Sequence, residues 1–176
     1  MGKTICSTSA LFTSKELSYV RVGRIVRNGG MKAVRVYHRQ FGSEYVKRQD
    51  DMIVFDAVIL NTDRHYGNSG FFVDRQTNQI IAPAPLFDHG NSLLNFASSE
   101  ALTSEKAILK YAASQLPCVY DDFIKEAKPL LTHEHRNSLR KLLDFRFKRH
   151  RLYNLLKQRL ELIETVVHEQ ARKLLK

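Results

Sequence analysis

Asn61-Thr62-Asp63-Arg64-His65-Tyr66-Gly67-Asn68, followed by Leu86-Phe87-Asp88-His89-Gly90-Asn91, is the stretch on which the reading of this 176-residue chain turns. Upstream, Met52, Ile53, Phe55, Val58, Ile59 and Leu60 recur at helical spacing and predict a helix over about 44–60, ended by Asn61 and Thr62. Between the two polar stretches lie Phe71-Phe72-Val73 and Ile80-Ile81-Ala82, with a polar turn from Asp74 to Gln79. That pattern predicts a β-hairpin, stopped by Pro83 and Pro85. The order is therefore helix, polar loop, hairpin, second polar loop.

Phosphoryl transfer wants such a set of groups. One carboxylate sits by the attacking hydroxyl, and a carboxylate with an amide oxygen holds Mg²⁺ against the triphosphate. Asp63 suits the first role, and Asn68 with Asp88 the second. Gly90 would allow a tight turn after the metal ligand, and Arg64 and His65 would lie near phosphate. Asp-x₄-Asn alone is a weak signal; helix before, hairpin after and Asp-x-Gly behind it strengthen it. The alternative for each residue is structural: Asp63 closing the turn, Asn68 making an Asx turn, Asp88 capping the next segment.

On these residues the chain resembles the HipA-like kinases, bacterial serine/threonine kinases with a protein-kinase-like fold. The match is carried by Phe55-Asp56, the whole of 61–68, Gly70-Phe71-Phe72-Val73, and Ala82-Pro83-Ala84-Pro85-Leu86-Phe87-Asp88-His89-Gly90-Asn91-Ser92-Leu93. The resemblance implies a mainly α chain with a β-hairpin (α+β), built like the C-terminal lobe of such a kinase. It implies Asp63 as catalytic base, Asn68 and Asp88 as Mg²⁺ ligands, and ATP touched by His65, Tyr66, Gly67, Asn68, Phe87 and Asp88. It further implies a protein serine or threonine as acceptor. In that family the kinase often belongs to a toxin–antitoxin pair with a DNA-binding antitoxin, so nucleic acid enters only indirectly; an aminoacyl-tRNA synthetase is a known type of target.

Two departures stand out. His89 occupies a position where a small polar residue looks usual. No Gly-rich phosphate loop and no convincing strand lysine precede Asp63; Lys32 is the only lysine in a strand-like context. The expectation is a lobe without its N-lobe, supplied by a separate chain if at all. The rival readings are an inactive or regulatory remnant that binds a partner, and a nucleic-acid-binding module.

Organisation outside residues 46–95 is less marked. The chain reads as a single unit, with a weakly patterned segment over 1–45 and a helical bundle over 96–176. Thr13 and Glu16 suggest a capping box for a helix near 14–22, Gly29-Gly30 a turn, and 31–37 either strand or helix. Asp56 either braces Arg64 or the N–H groups of the loop, or faces solvent. Thr103, Asp121 and Thr132 are candidate helix caps, with breaks at Pro117 and Pro129. A last helix over 150–174 carries an apolar stripe from Leu152 to Leu174. His133 and His135, two apart on a helix, do not suit a metal pair.

Lysine and arginine number 28 against 18 acidic residues, a charge of +10. Residues 136–176 hold twelve of those bases against four acids, a balance of +8. The helical apolar spacing there favours a solvated face over a nucleic-acid patch. The longest apolar run, Ala57-Val58-Ile59-Leu60, is far short of a membrane span. Met1 to Cys6 predicts neither a signal peptide nor a myristoylation site, and Gly2-Lys3-Thr4 only echoes a phosphate loop. Two cysteines, Cys6 and Cys118, make no disulfide framework, so a cytoplasmic setting is expected.

Overall fold

The long helix anticipated before Asn61 is present as Ser43–Ile59, the third helix (α3) of a computed structural model that describes residues 11–176. Readings of Gly2-Lys3-Thr4 and Cys6 lie outside the described residues. In chain order the elements are β1 (Leu17–Arg21), α1 (Val22–Ile25), α2 (Gly30–Arg39), α3, β2 (Gly70–Asp74) and β3 (Ile80–Pro83). They continue with α4 (Glu105–Ala113), α5 (Phe123–Ala127), α6 (His133–Leu142) and α7 (Lys157–Leu175). Single 3₁₀ turns lie at Ala101–Thr103 and Lys128–Leu130, the latter around Pro129.

The core forms where α3 meets α2, α5 and α7. Met52, Ile53, Ala57 and Val58 of α3 are buried with Ile163, Val166, Val167 and Ala171 of α7. The C-terminal carbonyls of α3, which have no partner inside the helix, are met individually. Leu60 N and Asn61 N both donate to Asp56 O, Gln170 Nε2 donates to Ala57 O at 2.8 Å, and Leu93 N donates to Ile59 O at 2.7 Å. Leu60 stops the helix in a left-handed conformation, φ 51°.

The hairpin is β2 and β3, and a third strand extends it. The sheet order is β1-β2-β3, all antiparallel, with Leu17 opposite Asp74 and Arg21 opposite Gly70. A helix over 14–22 is thus corrected. Ser14, not Thr13, organises the turn: its hydroxyl accepts from Glu16 N and Leu17 N. The following Leu-Ser-Tyr-Val run then pairs with β2, because partly buried β-branched and aromatic side chains suit a pleated surface. Gly70 is required there, since a Cβ would stand 2.3 Å from Val20 O.

The undecided 31–37 segment is helical, entered through Gly29 at φ 92°. Lys32 is therefore on an exposed helix face and not on a strand. Caps fall one residue later than expected at Ser104 and Asp122, while Thr132 forms a capping box with His135. The last helix begins at Lys157, seven residues after the predicted start. His150 explains the delay: its Nδ1 accepts from Leu152 N and Tyr153 N, and Asn154 bonds both its N–H and its carbonyl. Such side-chain bonds offer the backbone an alternative to the helix. Leu152, Leu155 and Leu156 are in consequence exposed.

His38 of α2 is buried against Phe71, and its Nδ1 donates to Tyr45 O. Burial pushes its pKa down, with the Arg35 charge adding to the effect. The folded chain therefore binds fewer protons there than the unfolded chain. Stability is full above the ordinary histidine pKa of about 6.5 and falls as pH drops toward the depressed value. Urea denaturation between pH 7 and pH 5 is expected to show this loss, with a shallower slope in His38→Asn.

Candidate functional site

The 61–68 loop leaves α3 at Leu60 and is shaped by Asn61, which is fully buried. Asn61 Nδ2 donates to Asp56 Oδ1 at 3.1 Å, and its Oδ1 accepts from Asp63 N at 3.2 Å. Asp63 O accepts from His65 N and from Asn68 Nδ2. These bonds use every part of Asp63 except its carboxylate, which has no hydrogen-bond donor among the described residues and is half-buried.

Arg64 ties this loop to the second one. Its side chain is 1% exposed and that of Asp56 is 0%. Nε and Nη2 donate to the two Asp56 oxygens at 2.8 and 3.0 Å, a bidentate ion pair. Nη1 donates to Asn68 O at 3.1 Å and to Phe87 O at 2.6 Å. One guanidinium nitrogen thus holds a carbonyl from each loop, and the loops lie side by side. Arg64 is in this way committed to protein partners and does not face phosphate, contrary to the expectation. Asp56 does not face solvent; it braces Arg64.

Asn68 is buried, and its Nδ2 bond to Asp63 O fixes the amide orientation. Its Oδ1 has no protein donor among the described residues. Asp88, next to the clamped Phe87 carbonyl, is exposed and sits at φ 59°. The left-handed turn expected at Gly90 is made at the aspartate itself. His89 Nδ1 accepts from Arg64 Nη2 at 2.9 Å, and its ring meets Phe55 edge-on at 5.2 Å. Burial first, then the Arg64 charge, holds its pKa below the usual range, so the ring is neutral at pH 7. The unusual residue at position 89 is built into the clamp.

Of the remaining residues named for the nucleotide, His65 is exposed and its Nδ1 accepts from Gly67 N. Tyr66 O accepts from Gly23 N, anchoring the loop to α1. Gly67 O accepts from Tyr19 Oη at 2.9 Å. Phe87 packs its ring on Phe12 and Tyr19, both at 5.4 Å between centroids. Neither Tyr19 nor Phe12 was legible as a neighbour of these loops; the pairing of β1 with β2 brings Tyr19 there, and Phe12, upstream of β1, packs edge-on against it at 5.9 Å. Burial raises the Tyr19 pKa to about 12, so it stays a donor at every physiological pH. Cys118 also borders the site: burial and then the Asp63 charge push its thiol pKa up.

A cavity of about 540 Å³ lies between α3 and α6 and is not lined by Asp63, Asn68 or Asp88. Among the described residues no three His, Cys, Asp or Glu side chains converge as a metal cage. His135 bonds Asp51 and His133 bonds Asn137. No helix of the described residues is long and apolar enough to cross a membrane. Part of the C-terminal charge is offset locally, by Arg146–Glu164, Lys157–Glu161 and Arg172–Glu169 pairs.

No protein-family model and no curated protein matches the chain. Its structure is similar to the crystal structure of the Helicobacter pylori proinflammatory kinase CtkA, with a TM-score of 0.64 at 18% identity. The match covers 92% of this chain and 70% of that one. The helix-rich architecture with its three-stranded antiparallel sheet is, on that likeness, a kinase-like fold.

Proposed function

We propose that this chain is the lobe of a HipA-like protein serine/threonine kinase that carries the proton acceptor and the Mg²⁺ ligands for phosphoryl transfer from ATP. The observation that supports it is the Arg64 clamp, which holds the Asn68 and Phe87 carbonyls on one guanidinium nitrogen, while the side-chain oxygens of Asp63, Asn68 and Asp88 have no hydrogen-bond donor among the described residues. Asn68 Oδ1 and an Asp88 carboxylate oxygen are hard donors of the kind Mg²⁺ prefers, and two protein ligands leave coordination sites for phosphate oxygens. Mg²⁺ bound there would offset the charge of the β- and γ-phosphates. Asp63 orients the acceptor hydroxyl and takes its proton as the oxygen attacks the γ-phosphorus. Phe87, Tyr19 and Phe12 give an aromatic surface beside the Asp88 loop for the base. A cytoplasmic setting and an antitoxin or N-lobe partner belong to the same proposal.

Binding of an ATP analogue measured by calorimetry, with Mg²⁺ and with EDTA, tests the reading. Affinity is expected with Mg²⁺ and a large loss without it. Asp88→Gly separates site from fold. Glycine accepts φ 59° without strain but removes the carboxylate. Its stability is expected within about 1 kcal/mol of the parent, with Mg²⁺-dependent binding lost. Nucleotide binding that ignores both EDTA and Asp88→Gly would discard the assignment.

Turnover by this chain alone is expected to be slow. Losing one preorganised charge donor typically costs about 10²–10³ in rate, and among the described residues neither a Gly-rich loop nor a strand lysine stands before Asp63. Rapid transfer of labelled γ-phosphate by the purified chain would show that another element holds the phosphates.

A further inference from the structure

The 540 Å³ cavity is an apolar groove lined by Val54, Phe55, Val58, Leu139, Leu142 and Phe147 among others. At its α3–α6 end the rim carries Asp51 and Glu134, with Lys47 between them. From Phe147, which lines the groove, the chain continues into the 148–156 segment, where the expected start of α7 is displaced. It exposes Leu152 at 69% and Leu156 at 81%, together with Tyr153 and Leu155. Single exposed leucines need no explanation, but four large apolar side chains within five residues form a patch. The segment is not loose: His150 stacks on Tyr153, and Asn154 bonds back to His150. From Phe145 to Leu160 the chain has no acidic residue, while Lys148, Arg149, Arg151 and Lys157 flank the leucines.

We propose that this face is where two copies of the chain meet, the 148–156 segment of each lying in the α3–α6 groove of the other. Three observations converge. The leucines are apolar and so is the groove. The charged residues of the segment are all basic, while at the groove rim two carboxylates, Asp51 and Glu134, share the one lysine, Lys47. Groove and segment adjoin at Phe147, which lines both the groove and a neighbouring cavity that Arg149 of the segment shares with the Arg146–Glu164 and Lys157–Glu161 pairs. A two-fold contact uses one patch twice, so it needs donor and acceptor features on the same face. Return of the segment into its own groove is opposed by its anchors. Phe147 N donates to Glu164 Oε1 at 2.8 Å, His168 Nε2 donates to Phe145 O at 2.8 Å, and α7 starts at Lys157.

Sedimentation of the full chain across the micromolar range tests this. A dimer is expected. Leu155→Asp with Leu156→Asp charges the patch, and Ser138→Trp separately fills the groove from an exposed position that lines it. Each is expected to weaken the dimer by roughly tenfold or more, with unchanged far-UV circular dichroism. Both variants alter exposed side chains, so the fold should survive. A wild-type chain that stays monomeric overturns the proposal, whether or not it binds anionic vesicles through the leucines. A dimer that survives either substitution also overturns it. The test does not depend on nucleotide binding, so it stands apart from the kinase reading.

Discussion

Replacing Arg64 with methionine is expected to destabilise the chain by about 3–5 kcal/mol. The substitution leaves the Asp56 carboxylate at 0% exposure with only the Asn61 amide as side-chain donor. It also removes the donor shared by Asn68 O and Phe87 O. The cost arises mainly from stranding a buried charge, and a double substitution shows this. With Asp56→Leu added, the charge is gone, so the pair should be clearly more stable than the sum of the two single losses implies. Nucleotide affinity should not recover with it, because the two loop carbonyls still lack their common donor. Urea denaturation of the three variants reads the first effect, and calorimetry with Mg²⁺ and an ATP analogue reads the second. Simple additivity of the stability losses would mean that Asp56 and Arg64 do not act as a unit.

Asp63→Asn is expected to do the reverse: little to the fold and much to the chemistry. No bond to the Asp63 carboxylate holds either loop; the backbone of Asp63 carries the structural contacts. The change in stability should stay within about 0.5 kcal/mol. Phosphate transfer, where the chain supports it, should fall by about 10²–10⁴, the usual worth of a positioned general base. Single-turnover labelling with γ-phosphate-labelled ATP measures it. An Asp63→Asn chain that transfers as fast as its parent removes Asp63 from the role assigned to it.

The contrast between these two neighbours marks what a sequence can and cannot disclose. Helix α3 and the β2–β3 hairpin were legible because their apolar residues repeat at 3.6 and at short-strand spacing, bounded by polar turns. That frame puts Asp63 and Asn68 in the loop between α3 and β2 and Asp88 in the loop after β3. Arg64 was misread as phosphate-facing because its partners, Asp56 and the Phe87 carbonyl, are eight and twenty-three residues away. Nothing in local pattern reports such a closure. β1 was misread as a helix because a cap-like Thr-x-x-Glu precedes it, whereas its state is decided by a strand about fifty residues on. The 150–156 stretch carries a helix-compatible stripe, and a single histidine accepting two backbone N–H bonds overrides it.

One hydrogen bond described above has an evolutionary reach of its own. Leu93 N meets Ile59 O at 2.7 Å, and Thr62 N meets Asn91 O at 3.2 Å. The whole excursion that bears the candidate chemistry therefore departs from and returns to one point, the end of α3. Its far tip is the exposed turn between β2 and β3, bonded within itself through Asp74 and Thr77 and held to the chain before β1 where Arg75 N donates to Glu16 O at 2.9 Å. Extra chain inserted at that tip need not disturb the junction, since doubling a flexible loop costs only about 0.6 kcal/mol in closure entropy. The unit is thus built as a cassette. It can grow outward at Gln76, while the spacing of its candidate oxygens is guarded at the opposite end.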